Sequence, residues 1–97
     1  MTNSLCFVIP AKNEQKSVGR VLRNLRQLYP NALILVVDDA SQDDTYQVAL
    51  RNGATVLPLC SSLGAWGAIQ AGMRYAAELG FDQVITLDAD GQHPPEM

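Results

Sequence analysis

The sequence predicts an α/β fold: a parallel sheet of about four strands with helices on both faces, in the order β-α-β-α-β-α-β. Three observations carry that expectation. Short apolar runs alternate with amphipathic stretches along the 97 residues, the pattern that right-handed crossovers build into a parallel sheet. The run Ala32-Leu33-Ile34-Leu35-Val36-Val37 is apolar on both faces, as a central strand covered by helices on either side must be. Runs one, two and four each end in a polar or acidic cluster, which places chemistry at the edge where such sheets bind ligands.

In order along the chain, Leu5 to Ile9 reads as a buried strand closed by Pro10, which lacks an amide donor. From Glu14 to Tyr29, Val18, Val21, Leu22, Leu25 and Leu28 recur at three- and four-residue spacing, the signature of an amphipathic helix. Asn13 is its expected N-cap, Glu14 places negative charge at its positive end, and Pro30-Asn31 ends it. Lys16, Arg20, Arg23 and Arg26 read as its wet face. After the second strand, Ser41 with Asp44 resembles a capping arrangement for a short helix to about Arg51, stopped by Asn52-Gly53. Ala54 to Leu59 forms a third strand, suited to a sheet edge by Pro58. A third helix, about Ala65 to Leu79, places Ala68, Ile69, Gly72, Met73 and Ala76 on one face. Gly80 stops it, and a fourth strand, Val84 to Leu87, delivers Asp88.

Composition narrows the function classes. Hydrophobic residues make up 47% and charged residues 18%, with a net charge of -3; one compact domain over 1–97 fits, and a basic nucleic-acid surface does not. A mildly acidic chain that handles an anionic nucleotide would rely on a metal ion and backbone amides. Cys6 and Cys60 read as ordinary buried or half-buried thiols of a reducing, cytoplasmic compartment. The amino terminus lacks a basic leader region, and no run reaches the roughly 20 apolar residues of a membrane span. The stop at Met97, directly after Pro94-Pro95-Glu96, suggests a domain cut short.

The densest chemistry lies in Asp88-Ala89-Asp90-Gly91-Gln92. At roughly 3.3 Å per residue, alternate side chains of an extended segment point the same way, so Asp88 and Asp90 can converge on one divalent ion. Hard oxygen donors suit Mg²⁺ or Mn²⁺ shared with a substrate's phosphates; a triplet this short also fits a solvated acidic turn. Pro10-Ala11-Lys12-Asn13-Glu14 and Asp38-Asp39 reach the same edge, and ionised carboxylates there suit ribose hydroxyls and base N–H groups. The glycine segment Ser61 to Ala68 opens the third helix, where free N–H groups favour an anion and Gly67 would allow its approach. Its glycines equally suit close helix-to-sheet packing. Trp66, the only tryptophan, falls near the proposed site, where it could stack on a ligand, but packing is the expectation, as large aromatics on a first helical turn are more often packed. His93 has no evident partner and reads as solvent-facing or loop-bracing. Lys12 fits a phosphate contact and a surface charge equally.

Together, Ile9-Pro10-Ala11-Lys12-Asn13-Glu14, Val36-Val37-Asp38-Asp39-Ala40-Ser41-Gln42-Asp43-Asp44-Thr45 and Leu87-Asp88-Ala89-Asp90-Gly91-Gln92-His93-Pro94-Pro95-Glu96 resemble the family 2 glycosyltransferases. The likeness extends in order over nearly the whole chain and favours the branch of dolichol-phosphate mannosyltransferase and polyprenyl-phosphate sugar transferases. It implies a Rossmann-like GT-A nucleotide-binding half and an inverting, metal-dependent transfer from a nucleotide-diphosphate sugar to an acceptor such as a polyprenyl or dolichyl phosphate. By the resemblance, Pro10, Ala11 and Glu14 line the nucleoside pocket, Asp39 holds the base, and Asp88, Asp90 and Gln92 bind Mg²⁺ or Mn²⁺. Asn13 and Gly67 complete the candidate nucleotide-binding set with Asp88. The glycine segment departs from many relatives, with Ser62 and Trp66 where they carry Asn and Lys. Acceptor binding, any catalytic base and any membrane anchor are expected beyond Met97, so the chain alone is expected to bind donor weakly or not at all and to lack transferase activity. An exposed sheet edge or face would also permit self-association.

Two readings from other classes remain. A noncatalytic nucleotide-binding or assembly module would keep the sheet and work through partners. A phosphoacceptor receiver domain would want an acidic pair after the first strand, where this chain has Pro10-Ala11.

Overall fold

A computed structural model describes residues 5–89. Its elements follow the expected order: β1 (Leu5–Ala11), α1 (Val18–Leu28), β2 (Leu33–Asp38), α2 (Thr45–Arg51), β3 (Thr55–Pro58), α3 (Gly64–Glu78) and β4 (Gln83–Thr86). The four strands form one parallel sheet in the order β3-β2-β1-β4. β3 therefore takes the edge that Pro58 suggested, and β1 and β2 are central.

The chain steps outward from β1 to β2 to β3, then crosses back to the far side of β1 for β4. Right-handed crossovers then put α1 and α2 on one face and α3 on the other. Side-chain alternation matches this division. Phe7, Ile9, Ala11, Ile34 and Val36 pack with Val18, Val21, Leu22 and Leu25 of α1 and Ala49 of α2, whereas Cys6, Val8, Leu35 and Val37 pack with Ala68 and Ala76 of α3. The reversal of direction lies between β1 and β4, and a crevice opens at such a switch point beyond the strands' carboxyl ends.

Local expectations shift in several places. β1 runs through Pro10, which pairs in register with Val37. Ala11 O accepts from Asp39 N on the β2 side, so by alternation the missing donor of Pro10 faces β4, whose pairing has ended at Val8 opposite Thr86. α1 begins at Val18, and its N-cap is Ser17, without a side-chain capping bond; Asn13 instead has a φ of 55° and serves the neighbouring loop. Ser41 does not cap α2 either, since its Oγ accepts from Asn13 N and its own N–H donates to Asp38 Oδ1. Arg26 is half-buried rather than wet, and its guanidinium donates to the carbonyls of Pro30 and Ala32 at the α1–β2 turn. Gly53 and Gly80 take positive φ where they were expected to stop helices.

On α3 the buried face is narrower than expected: Ala68, Gly72 and Ala76 are buried, Ile69 is intermediate, and Met73 is 43% exposed. Gly72 lets the helix sit close to the sheet, for a Cβ there would meet Val8 Cγ1 at 2.5 Å and Val37 Cγ2 at 2.8 Å. Trp66 is 68% exposed, against the expectation that it packs. It lies two residues before Ala68, a rotation of roughly 200° at 3.6 residues per turn, on the side away from the sheet. Cys6 is buried as expected, while Cys60 is exposed; both are free thiols. Among the described residues, no helix is long and apolar enough to cross a membrane.

Candidate functional site

The carboxyl ends of β1, β2 and β4 meet around a pocket of about 320 Å³, lined by Pro10, Ala11, Lys12, Glu14, Asp39, Ser62, Gly64, Ala65, Asp88 and Ala89. Parallel strands bring these segments to one rim: Ala11 is in register with Asp38, and Asp88 stands two residues past the end of β4. Five of the sequence-predicted residues, Pro10, Ala11, Glu14, Asp39 and Asp88, thus share one cavity. Asn13 and Gly67 are not among its lining residues. Asp90, Gln92 and His93 lie outside the described residues. A smaller cavity of about 210 Å³, lined by Ile69, Thr86, Leu87 and Asp88, adjoins the first through Asp88.

The loops after β1 and β2 hold each other by reciprocal bonds. Asn13 N donates to Ser41 Oγ at 2.9 Å, Glu14 N to Thr45 Oγ1 at 2.8 Å and Gln15 N to Asp43 Oδ2 at 3.3 Å. In return Gln42 N donates to Asn13 Oδ1 at 2.8 Å and Asp44 N to Gln15 Oε1 at 2.9 Å. Thr45, fully buried, also donates its hydroxyl hydrogen to Asp43 Oδ1. Burial would raise the Asp43 carboxyl, but bonds from the Thr45 hydroxyl, from the Thr45 and Gln15 amides and from its own amide hold it below the ordinary value.

Asp39 is the central acid of the pocket, 3% exposed. Its Oδ1 accepts from Leu63 N at 2.7 Å, and its Oδ2 accepts from Ser62 Oγ at 2.9 Å and Gly64 N at 3.0 Å. The free N–H groups at the start of α3, expected to attract a phosphate, are thus engaged at Leu63 and Gly64 by an internal carboxylate. The positive φ of Gly64 (80°) forms the turn that presents them. Burial alone would push the Asp39 carboxyl up; the bonds from Leu63, Ser62 and Gly64, with the Lys12 charge, leave it below the ordinary carboxylate value. An ionised Asp39 is a pure acceptor, and the spare lone pair on Oδ1 remains suited to a base N–H. Lys12, exposed on the pocket wall, brings a positive charge beside it.

Sequence reasoning missed the roles of Ser17 and Thr45, and it marked Ser62 only as a departure in the glycine segment. Ser17 Oγ lies within donating distance of two acceptors, Ala89 O at 2.9 Å and Glu14 Oε1 at 3.1 Å, for its single hydrogen. It lies in the turn leading into α1, and no local pattern marks a serine whose partner is 72 residues away.

Residues 6–97 match the family described as "Glycosyl transferase family 2". Among curated relatives, an undecaprenyl-phosphate mannosyltransferase of Micrococcus luteus is 40% identical over 94 residues, covering 92% of this chain and 39% of that protein. Among solved structures, mannosyl-3-phosphoglycerate synthase from Rubrobacter xylanophilus is 28% identical with a TM-score of 0.75, covering 96% of this chain and 33% of that one. Glucosyl-3-phosphoglycerate synthase from Mycobacterium tuberculosis, crystallised with Mn²⁺, uridine diphosphate and glucosyl-3-phosphoglycerate, is 25% identical with a TM-score of 0.72, covering 89% and 33% respectively. The chain spans about two fifths of the length of the curated relatives it matches.

Proposed function

The chain belongs to glycosyl transferase family 2, and from that premise we propose that it is the donor-binding region of a metal-dependent, inverting sugar transferase. Its fold is the nucleotide-binding half of GT-A structures, a four-stranded parallel sheet with helices on both faces. The donor is a nucleotide-diphosphate sugar, and the acceptor served by the whole protein is a polyprenyl phosphate. The convergence of Pro10, Ala11, Glu14, Asp39 and Asp88 on one pocket carries this reading. Relatives named for undecaprenyl-phosphate mannosyl transfer and for dolichyl-phosphate N-acetylglucosaminyl transfer support the acceptor class.

In this reading Pro10 and Ala11 form the wall against the nucleoside, Glu14 accepts from ribose hydroxyls, and Asp39, braced and ionised, accepts from a base N–H. Lys12 faces the phosphates. Mg²⁺ or Mn²⁺ would be held by Asp88 together with Asp90 and Gln92, with the diphosphate completing its shell. Among the described residues, no three histidine, cysteine or acidic side chains gather to hold a metal by themselves. Asp88 supplies the hard carboxylate oxygen such an ion takes. When bound, the ion neutralises charge that builds on the departing nucleoside diphosphate. A phosphate acceptor is already largely ionised at neutral pH, its second pKa being about 6, so this acceptor class needs no side chain to remove a proton. Membrane association would come through the lipid acceptor or a further segment.

Calorimetric titration with UDP- and GDP-sugars, with and without Mn²⁺, tests the assignment. Metal-enhanced binding that disappears in Asp90→Ala is the expected result. Binding indifferent to the metal and to that substitution would point instead to a noncatalytic nucleotide-binding module.

A further inference from the structure

The donors that brace Asp39 also limit what its carboxylate can still accept. An ionised carboxylate offers about four acceptor sites, two on each oxygen. Among the described residues, Leu63 N at 2.7 Å takes one site on Oδ1, while Ser62 Oγ at 2.9 Å and Gly64 N at 3.0 Å take both on Oδ2. One site remains, on Oδ1. Asp39, Ser62 and Gly64 all line the pocket. We propose that the pocket selects uracil over guanine, and that Ser62 is a specificity-determining residue because its hydroxyl fills the last site on Asp39 Oδ2. The inference rests on reading the pocket as a nucleotide-sugar site with Asp39 at the base.

The bases differ in the donors they bring. The pairing edge of uracil has a single N–H, at N3, which the open site on Oδ1 satisfies. Guanine brings two side by side, N1–H and the 2-amino group, and a carboxylate meets such a pair with both oxygens, as it does the paired N–H groups of an arginine. Here the second oxygen is taken, so the amino group gives up water without gaining a partner, at a cost of about tenfold in affinity. Cytosine and adenine place a ring-nitrogen lone pair beside their amino group, and an ionised carboxylate repels it. Ser62 is the replaceable member of the brace. Leu63 and Gly64 act through backbone amides, whereas Ser62 is exposed and acts through its hydroxyl. Removing that oxygen opens a site on Oδ2 for the second guanine donor.

Inosine diphosphate separates donor count from ring size, since hypoxanthine keeps the purine ring and N1–H of guanine and lacks only the 2-amino group. The unsubstituted chain, Ser62→Ala and Ser62→Thr are each titrated with UDP, GDP and inosine diphosphate in Mg²⁺, to millimolar concentrations. The amide resonances of Leu63 and Gly64, which bond Asp39, report binding by nuclear magnetic resonance. In the unsubstituted chain UDP is expected to bind about tenfold more tightly than GDP, and inosine diphosphate about threefold more tightly than GDP. In Ser62→Ala, GDP should gain about fivefold relative to inosine diphosphate. Ser62→Thr, which keeps the hydroxyl, should retain the unsubstituted order. A purely structural serine would instead weaken all three ligands alike in Ser62→Ala, and an unchanged ratio of GDP to inosine diphosphate in that variant overturns the proposal. GDP binding as tightly as UDP to the unsubstituted chain overturns it as well; either result leaves the nucleotide site standing. If Ser62→Ala does not fold, by far-ultraviolet circular dichroism, the order of the three ligands in the unsubstituted chain still decides. Failure of all three diphosphates to bind overturns the nucleotide site and the base choice with it.

Discussion

The loops after β1 and β2 are stitched to each other, whereas the turn after β4 is approached through a serine that has another acceptor within reach. On the first side, Asn13, Glu14 and Gln15 donate backbone amides to Ser41, Thr45 and Asp43, while Gln42 and Asp44 donate back to Asn13 and Gln15. On the second, Leu87 N continues the ladder to Val8 O, and Ser17 Oγ then meets Ala89 O. The nucleoside side is therefore preorganised and surrenders little ordering entropy on binding. In the proposed enzyme the nucleoside is therefore recognised on a surface that is fixed beforehand.

The strongest way to break the comparison is to remove the metal side alone. Asp88→Ala is expected to lower nucleoside-diphosphate affinity on the order of 100-fold in the presence of Mn²⁺, at the upper end of what even outlying metal-site partners produce. Affinity measured in chelator should change little. Calorimetry under both conditions reads the difference, and an equal loss in each would place Asp88 on the nucleoside side.

Next in size is the anionic brace between the pocket and α3. Asp39→Asn replaces an acceptor of three bonds with a group that can accept through one oxygen only, leaving a donor at the start of α3 facing an amide nitrogen. A loss of about 2 kcal/mol at neutral pH is expected, in the range for bonds to charged groups, measured by urea denaturation. The acid limb supplies the sign. Asp39 and Asp43 are both held below the ordinary carboxylate value, so their contribution is fully present above about pH 4, the unfolded value. It falls away as pH drops through the lowered values. Asp39→Asn should therefore flatten the decline in melting temperature below pH 4, and an unchanged acid limb would remove Asp39 from that account.

A smaller and more selective effect is expected from the stitched side. Thr45→Val keeps shape and removes the oxygen that accepts from Glu14 N. An amide left without its acceptor is worth about 1–3 kcal/mol, and nucleotide affinity should fall about fivefold with and without Mn²⁺. Set beside Asp88→Ala, which should act on the metal-linked part alone, this pair of substitutions sharpens the contrast between the two sides. If Thr45→Val affected only the metal-dependent part, the division drawn here would be wrong.

The same contrast explains what the sequence made legible. Strand order of appearance, the two-sided sheet, the edge position of β3 and the gathering of Glu14, Asp39 and Asp88 follow from periodicity and from parallel strands sharing one carboxyl end. The start of α1 does not. Local pattern placed it at Glu14 with Asn13 as cap, but the amides of Asn13, Glu14 and Gln15 are taken by a loop about 30 residues further on, and the helix begins only at Val18. The contacts of Ser17, Thr45 and Ser62 escaped notice for the same reason: their hydroxyls act across the fold, and hydroxyl residues near helix starts have ordinary local explanations.

Trp66 gives the smallest predicted effect and a direct report on the pocket. The spacing of Ala68, Gly72 and Ala76 already implied that position 66 faces away from the sheet, yet residue type argued for burial; geometry prevailed, because Gly72 brings α3 too close to Val8 and Val37 to admit a large side chain between them. Trp66→Ala should accordingly change stability by no more than about 0.5 kcal/mol, as exposed substitutions generally do. The indole follows Gly64 and Ala65, both on the pocket wall, and it is the only tryptophan in the chain. Its emission should shift when a nucleoside diphosphate displaces water from that wall, and Thr45→Val should weaken the nucleotide dependence of that shift without changing its amplitude at saturation. A destabilisation of 2 kcal/mol or more in Trp66→Ala would mean that the side chain packs after all, and the α3 face would then have to be redrawn.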